Sequence, residues 1–523
     1  MTKTLADALR ALHYPLPDVL SSLSSLSVDT RAPTQTSSKE VNDLFPFTSG
    51  APHIVLKQVN ASKEVRPLRV GVVFSGGPAA GGHSVISGLF TGIKEIHEES
   101  SLFGFLGGPS GIVNQEYIEI TTELCAKFHN QGGFDLIGSG RTKIETEEQL
   151  QKSLHTASAL QLDGLVIIGG DDSNTNAAIL AEFFLAHGCK TTVVGVPKTI
   201  DGDVQNAEVD ISFGFHTACK VYAEMIGNLA KDARSARKYT HFVKLMGRSA
   251  SHIALECALA TQPNMTLIGE EILASNKTLG DITKDIADLI TKRKEAGKSY
   301  GIILIPEGLI EFIPEMRKLI QEISSLKTPP EGLSPESQHC FNQLPESIQK
   351  QMLFERDPHG NVPLSFIETE KLLSCMVEEE LKRRGYPHPF YPLHHFFGYE
   401  GRCSFPTPFD ARYCAALGKV AAALVHQNRT GYMCYIKGLS ASPSSWEAGG
   451  IPLTSLMHVE TRKGKQKPVI AKALVDLKAA PFALFAKKRS SWMIEDAYIA
   501  PGPIQFFGDP EIVYEVPHIL CAR

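Results

Sequence analysis

The 523-residue chain has no CxxC pair among its ten cysteines, no run of about 18 apolar residues and no excess of basic charge. The cysteines are scattered, several inside apolar runs such as HIALECALA. They argue against a disulfide scaffold or a zinc site and read as reduced core residues of a cytoplasmic protein. Without a long apolar run, no membrane span is expected. The opening stretch, MTKTLADALRALHYPL, mixes charges with apolar residues at helical spacing and lacks the continuous apolar segment of a secretory signal. A formal net charge of −5 argues against a nucleic-acid partner. It leaves room for small anionic substrates, because local lysines and arginines can act inside an acidic protein. Walker A and GxGxxG spacings are both absent, which excludes a P-loop or a standard dinucleotide fold by motif. No repeat of short period is present.

What is there is ordinary globular material, 43% apolar and 21% charged, in a chain too long for one core; two or more lobes are expected. Residues 1–66 read as an N-terminal extension, and the serine- and threonine-rich SSLSSLSVDTRAPTQTSSKE within it predicts a poor core. From Leu68 the texture changes. LRVGVVF is a short β-branched run; it ends in SGGPAAGG, and apolar residues at helical spacing follow. DGLVIIGG (163–170) with DDSNT and a helical run repeats the arrangement, and TTVVGV (191–196) leads into PKTIDGD. Alternating strands and helices predict a parallel sheet with helices on its faces, and ligands gather beyond the carboxyl ends of such strands. The three loops are therefore expected to line one crevice. THFVKLMGRSASHIALECALA (240–260) and SYGIILIPEGLI (299–310) continue the pattern. Residues 311–395, with EMRKLIQEISSL and ETEKLLSCMVEEELKRRG, read as a mostly helical insertion on a second lobe.

Several turns carry residues suited to phosphate chemistry. In GGPAAGG the small residues allow close backbone approach, and a helix N-terminus follows; the same string also suits a simple tight turn. In GGDDSNTNA the adjacent Asp171 and Asp172 serve either as helix caps or as a carboxylate holding Mg²⁺ that bridges phosphate oxygens. PKTIDGD is the sharpest. Phosphoryl transfer needs alignment, a proton acceptor near the attacking hydroxyl and positive charge on the moving group. Asp201 can accept the proton, Lys198 can neutralise phosphate, and Asp203 can assist a metal or orient its neighbours. Arg141, Arg248 and Arg402 each follow a glycine-bearing turn, and guanidinium forks suit phosphate oxygens. Glu307, after a buried strand, suits either sugar hydroxyls or a turn cap. Tyr399 suits either aromatic packing or a phenol aimed at phosphate. His216, His252, His394 and His395 lack coordinated ligand spacing and stay outside the site.

Taken in order, SGGPAAGGHSVISG, GGFDLIGSGRTK, GGDDSNTNA, PKTIDGD, FGFHTACK, MGRSASHIALECALA, IPEG and GYEGR resemble the phosphofructokinase family, most of all its long, pyrophosphate-dependent branch, from about residue 67 to the end. The resemblance implies two Rossmann-like α/β lobes with mostly parallel sheets, besides the extension and the insertion. Residues 67–212 with 400–460 would form the phosphoryl-donor lobe, and 213–399 with 461–523 the sugar-phosphate lobe. It further implies glycolytic, Mg²⁺-dependent transfer from pyrophosphate to the 1-hydroxyl of fructose 6-phosphate in a cytoplasmic homodimer or higher homo-oligomer. Asp201 would be the proton acceptor, Asp171 the metal ligand, and Gly76 with Arg141 the donor contacts. Thr199, Asp201, Met246, Gly247, Arg248, Glu307, Tyr399, Glu400, Gly401 and Arg402 would hold the sugar phosphate, with Lys238 and Tyr239 supplied to it by a neighbouring subunit. ATP-using relatives commonly carry glycine at the positions of Asp172 and Lys198. A carboxylate at the first position would repel a nucleotide α-phosphate, and an ammonium at the second would meet pyrophosphate. The family often has proline and asparagine where this chain has Ala80 and Ser84, which implies a looser turn. An ATP-dependent enzyme of the same fold and a non-catalytic regulatory subunit are the alternatives.

Overall fold

In a computed structural model, residues 3–32, 37–59, 65–326, 329–353, 362, 364–462 and 465–521 are described. The chain forms two compact units. The first comprises Met1–Ala218, Arg402–Ala473 and Gln505–Val516; the second comprises Cys219–Gly401, Leu474–Ile504 and Pro517–Arg523. Residues 461–473 and 505–516 thus group with the first unit, whereas the sequence reading put all of 461–523 in the second lobe. Among the described residues the strands are, in chain order, β1 (Leu26–Arg31), β2 (His53–Gln58), β3 (Arg69–Phe74), β4 (Ser101–Phe105), β5 (Tyr117–Glu119), β6 (Gly164–Gly169), β7 (Thr192–Pro197), β8 (Tyr239–Leu245), β9 (Met265–Thr266), β10 (Tyr300–Pro306), β11 (Pro392–Phe397), β12 (Tyr432–Lys437), β13 (Glu447–Pro452), β14 (Met457–Arg462) and β15 (Lys465–Ile470).

The first unit is built on a nine-stranded sheet of order β1-β2-β13-β12-β7-β6-β3-β4-β5. Its five central strands, β12, β7, β6, β3 and β4, run parallel, and the strands added outside them pair antiparallel. The central sequences RVGVVF, GLVIIG and TVVGVP are rich in β-branched residues and almost wholly buried, as befits strands covered on both faces. From β3 the chain moves first to β4 on one side and later to β6 on the other. The carboxyl ends beside β3 are therefore a topological switch point, where a crevice opens. Within SSLSSLSVDTRAPTQTSSKE the expected poor core holds except at Leu23 and Leu26, which are buried as the chain enters the sheet-edge strand β1; residues 33–36 lie outside the described residues. Elsewhere in the extension Leu20 is buried, β2 extends the sheet, and Val41 and Phe45 join the core. Leucines spaced by three bury one line of the chain while the serines between them are less buried; the average composition hides this.

The second unit carries a four-stranded, all-parallel sheet of order β11-β8-β10-β9. The expected helical insertion is present as the helices Pro314–Ser325, Pro335–Gln343, Glu346–Met352 and Thr369–Arg383; its residues 327–328, 354–361 and 363 lie outside the described residues. In the helix Pro314–Ser325, proline occupies the first turn, and Met316, Leu319, Ile320 and Ile323 recur every three or four residues on the buried face. Those side chains pack with Phe242, Ile303 and Ile305 of β8 and β10 in one cluster, each burial being worth about 1.5–3 kcal/mol. The last residues assigned to the insertion depart from the expectation, since Pro392–Phe397 form the edge strand β11. No helix among the described residues is long and apolar enough to cross a membrane.

Candidate functional site

The loops after β3, β6 and β7 meet in the first unit because those strands are neighbours, and backbone hydrogen bonds lock them together. Ser75 N donates to Ile168 O, Gly76 N to Gly140 O and Lys198 N to Gly169 O, each at 2.9 Å. Side chains brace the same junction. Ser173 Oγ donates to Ser75 Oγ at 2.7 Å, Ser139 Oγ to Gly76 O at 2.9 Å, and Asn174 Nδ2 to Gly169 O at 2.7 Å. In the PKTIDGD turn, Asp201 N donates to Thr199 Oγ1 at 3.1 Å, and Ser212 Oγ donates to Thr199 O at 2.8 Å. Ser84, in place of the family's asparagine, donates through Oγ to Asn130 Oδ1 at 3.4 Å.

Gly76 explains why a side chain is excluded here. Its φ is +86°, and a Cβ placed on it would lie 3.2 Å from the Lys198 ammonium. A Cβ on Gly77 would come equally close, 3.2 Å, to Nη1 of Arg402. Two consecutive glycines therefore lie bare against two cations, which is the layout of an anion cradle. Lys198 is buried, with 6% of its surface exposed. Burial pulls its ammonium down to about 8; Asp201 and Asp171 oppose that fall, and Arg402 and Arg141 add to it. At neutral pH it stays mostly charged but poorly solvated, so an incoming phosphate supplies what water cannot. Arg141 thus lies within electrostatic reach of Lys198, as its assignment to the donor requires.

The carboxylates respond in the opposite sense. Asp203 is buried, and burial together with the Asp201 and Asp171 charges pushes it up to about 7, with Lys472 acting against the rise. Asp171 and Asp172 open the helix Asp171–Ala186. Asp171 Oδ2 lies 3.4 Å from Lys472 Nζ, and Asp172 Oδ1 accepts from Lys143 Nζ at 3.0 Å, with its side chain 53% exposed. Among the described residues no group of three His, Cys, Asp or Glu side chains forms an all-protein metal cage. The donor set instead suits magnesium, which takes one or two carboxylates together with phosphate oxygens and water. Beyond the larger effect of burial, the Asp201 and Asp171 charges both press on Asp203, and a divalent cation would relieve that share. Lys472 and Lys143 went unnoticed in the sequence. Lys143 stood two residues beyond Arg141 in GSGRTK, and nothing local to Lys472 signals its partner.

In the second unit the carboxyl ends of β8 and β10 bring Met246, Gly247, Arg248 and Glu307 together. Glu307 is buried and its Oε2 accepts from Gly247 N at 3.0 Å, while Glu307 N donates to Leu245 O at 2.9 Å. Gly247 adopts φ +128°, and a Cβ on Gly308 would sit 2.0 Å from Arg248 O. Glu307 therefore caps the Met246–Arg248 turn with one oxygen, whatever its other oxygen contacts. Met246 N donates to Phe397 O at 2.9 Å, which ties this turn to the Gly398–Gly401 segment. There, Tyr222 hydroxyl donates to Gly398 O at 2.5 Å and Gly401 N donates to Gly398 O at 3.2 Å. Tyr399 and Glu400 are exposed, Tyr399 standing edge-on to Phe396. Lys238 and Tyr239 are not part of this group. They lie at the amino end of β8, about 20 Å along the strand, where the Lys238 ammonium sits 4.7 Å over the Tyr239 ring.

Residues 69–348 match the family model for phosphofructokinase. The chain is 47% identical over 517 residues to a pyrophosphate–fructose 6-phosphate 1-phosphotransferase of Entamoeba histolytica, covering 95% of each chain. It is 50% identical over 508 residues to the enzyme so named in Treponema pallidum, covering 91% of this chain and 88% of that one. Among solved structures, the pyrophosphate-dependent phosphofructokinase of Nitrosospira multiformis superposes with a TM-score of 0.56 over 85% of this chain and 96% of its own. At 16% identity that likeness speaks to the fold alone.

Proposed function

The chain belongs to the phosphofructokinase family, and we propose that it transfers a phosphoryl group reversibly between pyrophosphate and the 1-hydroxyl of fructose 6-phosphate. The observation that carries this reading is the buried ammonium of Lys198 set against side-chain-free Gly76. The near-full-length likeness to two enzymes named for pyrophosphate supports it.

The 1-hydroxyl oxygen of the sugar attacks the terminal phosphorus. Its bond to that phosphorus forms as the bond to the bridging oxygen of pyrophosphate breaks, and inorganic phosphate leaves. Asp201 accepts the hydroxyl proton, and Thr199 holds the turn that presents it. Lys198, Arg141 and Arg402 take up charge on the moving group and the departing phosphate; one such contact is worth about 10²–10³ in turnover. Asp171 would hold magnesium together with donor oxygens, and a bound magnesium ion supplies charge neutralisation there. Asp172 excludes a nucleotide α-phosphate by its charge, and Lys143 keeps it in place. Met246, Gly247, Arg248, Glu307, Tyr399, Glu400, Gly401 and Arg402 bind the sugar phosphate. Lys238 and Tyr239, remote from Met246 along β8, serve the sugar site of a neighbouring copy in a homodimer or larger assembly. We assign the enzyme to glycolysis in the cytoplasm.

A coupled assay with each donor in turn tests this. Turnover with pyrophosphate by the purified single chain, and little with MgATP, is expected. Efficient turnover with MgATP and none with pyrophosphate would overturn the donor assignment, and inactivity with both would favour a non-catalytic subunit.

A further inference from the structure

The segment leaving β15 crosses the front of the donor loops and is fastened on both sides. Ile470 is buried in the first unit's core, and its N–H donates to Thr175 Oγ1 at 3.3 Å, on the helix that Asp171 opens. Three residues later, Ala473 N donates at 2.8 Å to the carbonyl of Asp203. Lys472 lies between these anchors, its ammonium 3.4 Å from Asp171 Oδ2 and its side chain about one-third exposed. We propose that Lys472 is a further donor-binding residue, a fourth cation beside Lys198, Arg141 and Arg402 that takes an oxygen of pyrophosphate.

The argument is one of charge and reach. The backbone around Lys472 is held, so its stem starts from a defined place. Its side chain is about one-third exposed, unlike that of Arg293, whose guanidinium is fully buried and bonded to Tyr300, Met493, Ile494 and Asp496. A lysine ammonium on a four-carbon stem can turn to a new anion while its backbone stays put. Asp171 would also take magnesium, and a divalent cation on that carboxylate repels an ammonium beside it. The donor's oxygens are the anions then at hand. In the absence of donor, the same contact keeps Asp171 from adding its full charge to the crowded carboxylates around Asp203.

This inference rests on the pyrophosphate reading, and the experiment separates the two. Calorimetric titration of the full-length protein with inorganic pyrophosphate, without sugar and with or without Mg²⁺, is run on wild type, Lys472→Ala, Lys472→Met and Lys472→Arg. Loss of the contact in the Ala and Met chains is expected to weaken pyrophosphate binding about 10- to 100-fold with Mg²⁺ present, and less without it, whereas Arg stays within about threefold of wild type. The KM for fructose 6-phosphate should stay unchanged. Methionine keeps the apolar stem, so it answers the question even if the Ala chain folds poorly. If wild type turns over pyrophosphate and both neutral variants bind it within about twofold of wild type, Lys472 is only a strut and the proposal falls alone. If wild type neither binds nor uses pyrophosphate, the proposed function falls with it.

Discussion

Replacing Asp203 by Asn should make the protein more stable and less active, and the gain in stability should depend on pH. Burial and the neighbouring Asp201 and Asp171 charges raise the Asp203 carboxyl from an ordinary 3.8 to about 7. Below about pH 4 the folded and unfolded chains both hold the proton, and wild type and variant should melt together. Between about pH 4 and 7 the unfolded chain has released its proton while the folded chain retains it, so wild type loses stability across that window; above about pH 7 the loss is complete. A rise of about three pKa units, at ~1.4 kcal/mol each, comes to about 4 kcal/mol. For a unit of this size 1 kcal/mol moves the melting temperature by about 2 °C, so the variant should melt about 8 °C higher at about pH 8. Thermal melts of both chains from about pH 4 to 8.5, run with a chelator and no Mg²⁺, read this directly, and the coupled assay reads the activity lost. Equal melting temperatures at about pH 8, or a difference that does not change with pH, would refute the reasoning.

Other substitutions probe the remaining parts. Asp201→Asn should lower kcat by about 10²–10⁴ with both KM values nearly unchanged, the signature of a lost proton acceptor in steady-state kinetics. Gly76→Ala adds about 1–2 kcal/mol of backbone strain at φ +86° and a methyl 3.2 Å from the Lys198 ammonium. Its kcat/KM for pyrophosphate should fall at least about tenfold with the circular dichroism spectrum intact. Glu307→Ala leaves the Gly247 N–H without its acceptor, at about 1–3 kcal/mol; the KM for fructose 6-phosphate should rise while that for pyrophosphate holds. Leu23→Ala, inside the serine-rich segment, should cost about 2–5 kcal/mol and lower the melting temperature by several degrees with kcat preserved.

The donor loops were legible because each lies where a β-branched run gives way to glycine and then to helical spacing, a signal carried wholly within about twenty residues. Gly76, Asp171, Lys198 and Asp201 meet because β3, β6 and β7 are adjacent, which the alternation of strands and helices already implied. The line of Leu20, Leu23 and Leu26 was hidden, since three leucines diluted by serine read as a poor core unless a sheet edge is known to await them. The strand β11 was hidden for another reason. PLHHFF begins with proline and carries two histidines, and edge position rather than alternation makes it a strand. Contacts such as Lys472 with Asp171 and Lys143 with Asp172 join distant stretches of chain, and an ion pair leaves no periodic trace in either.

The outer part of the large sheet imposes an order on synthesis. Ile54 and Val55 of β2 pair with Gly450 and Gly449 of β13, so a strand waits for a partner made nearly 400 residues after it. Until the nearly 400 residues between them have emerged, the β13-facing edge of β2 has no partner and is open to other nascent chains. A prematurely terminated product is therefore a sticky fragment rather than a smaller working enzyme, and quality-control machinery must either shield it or destroy it.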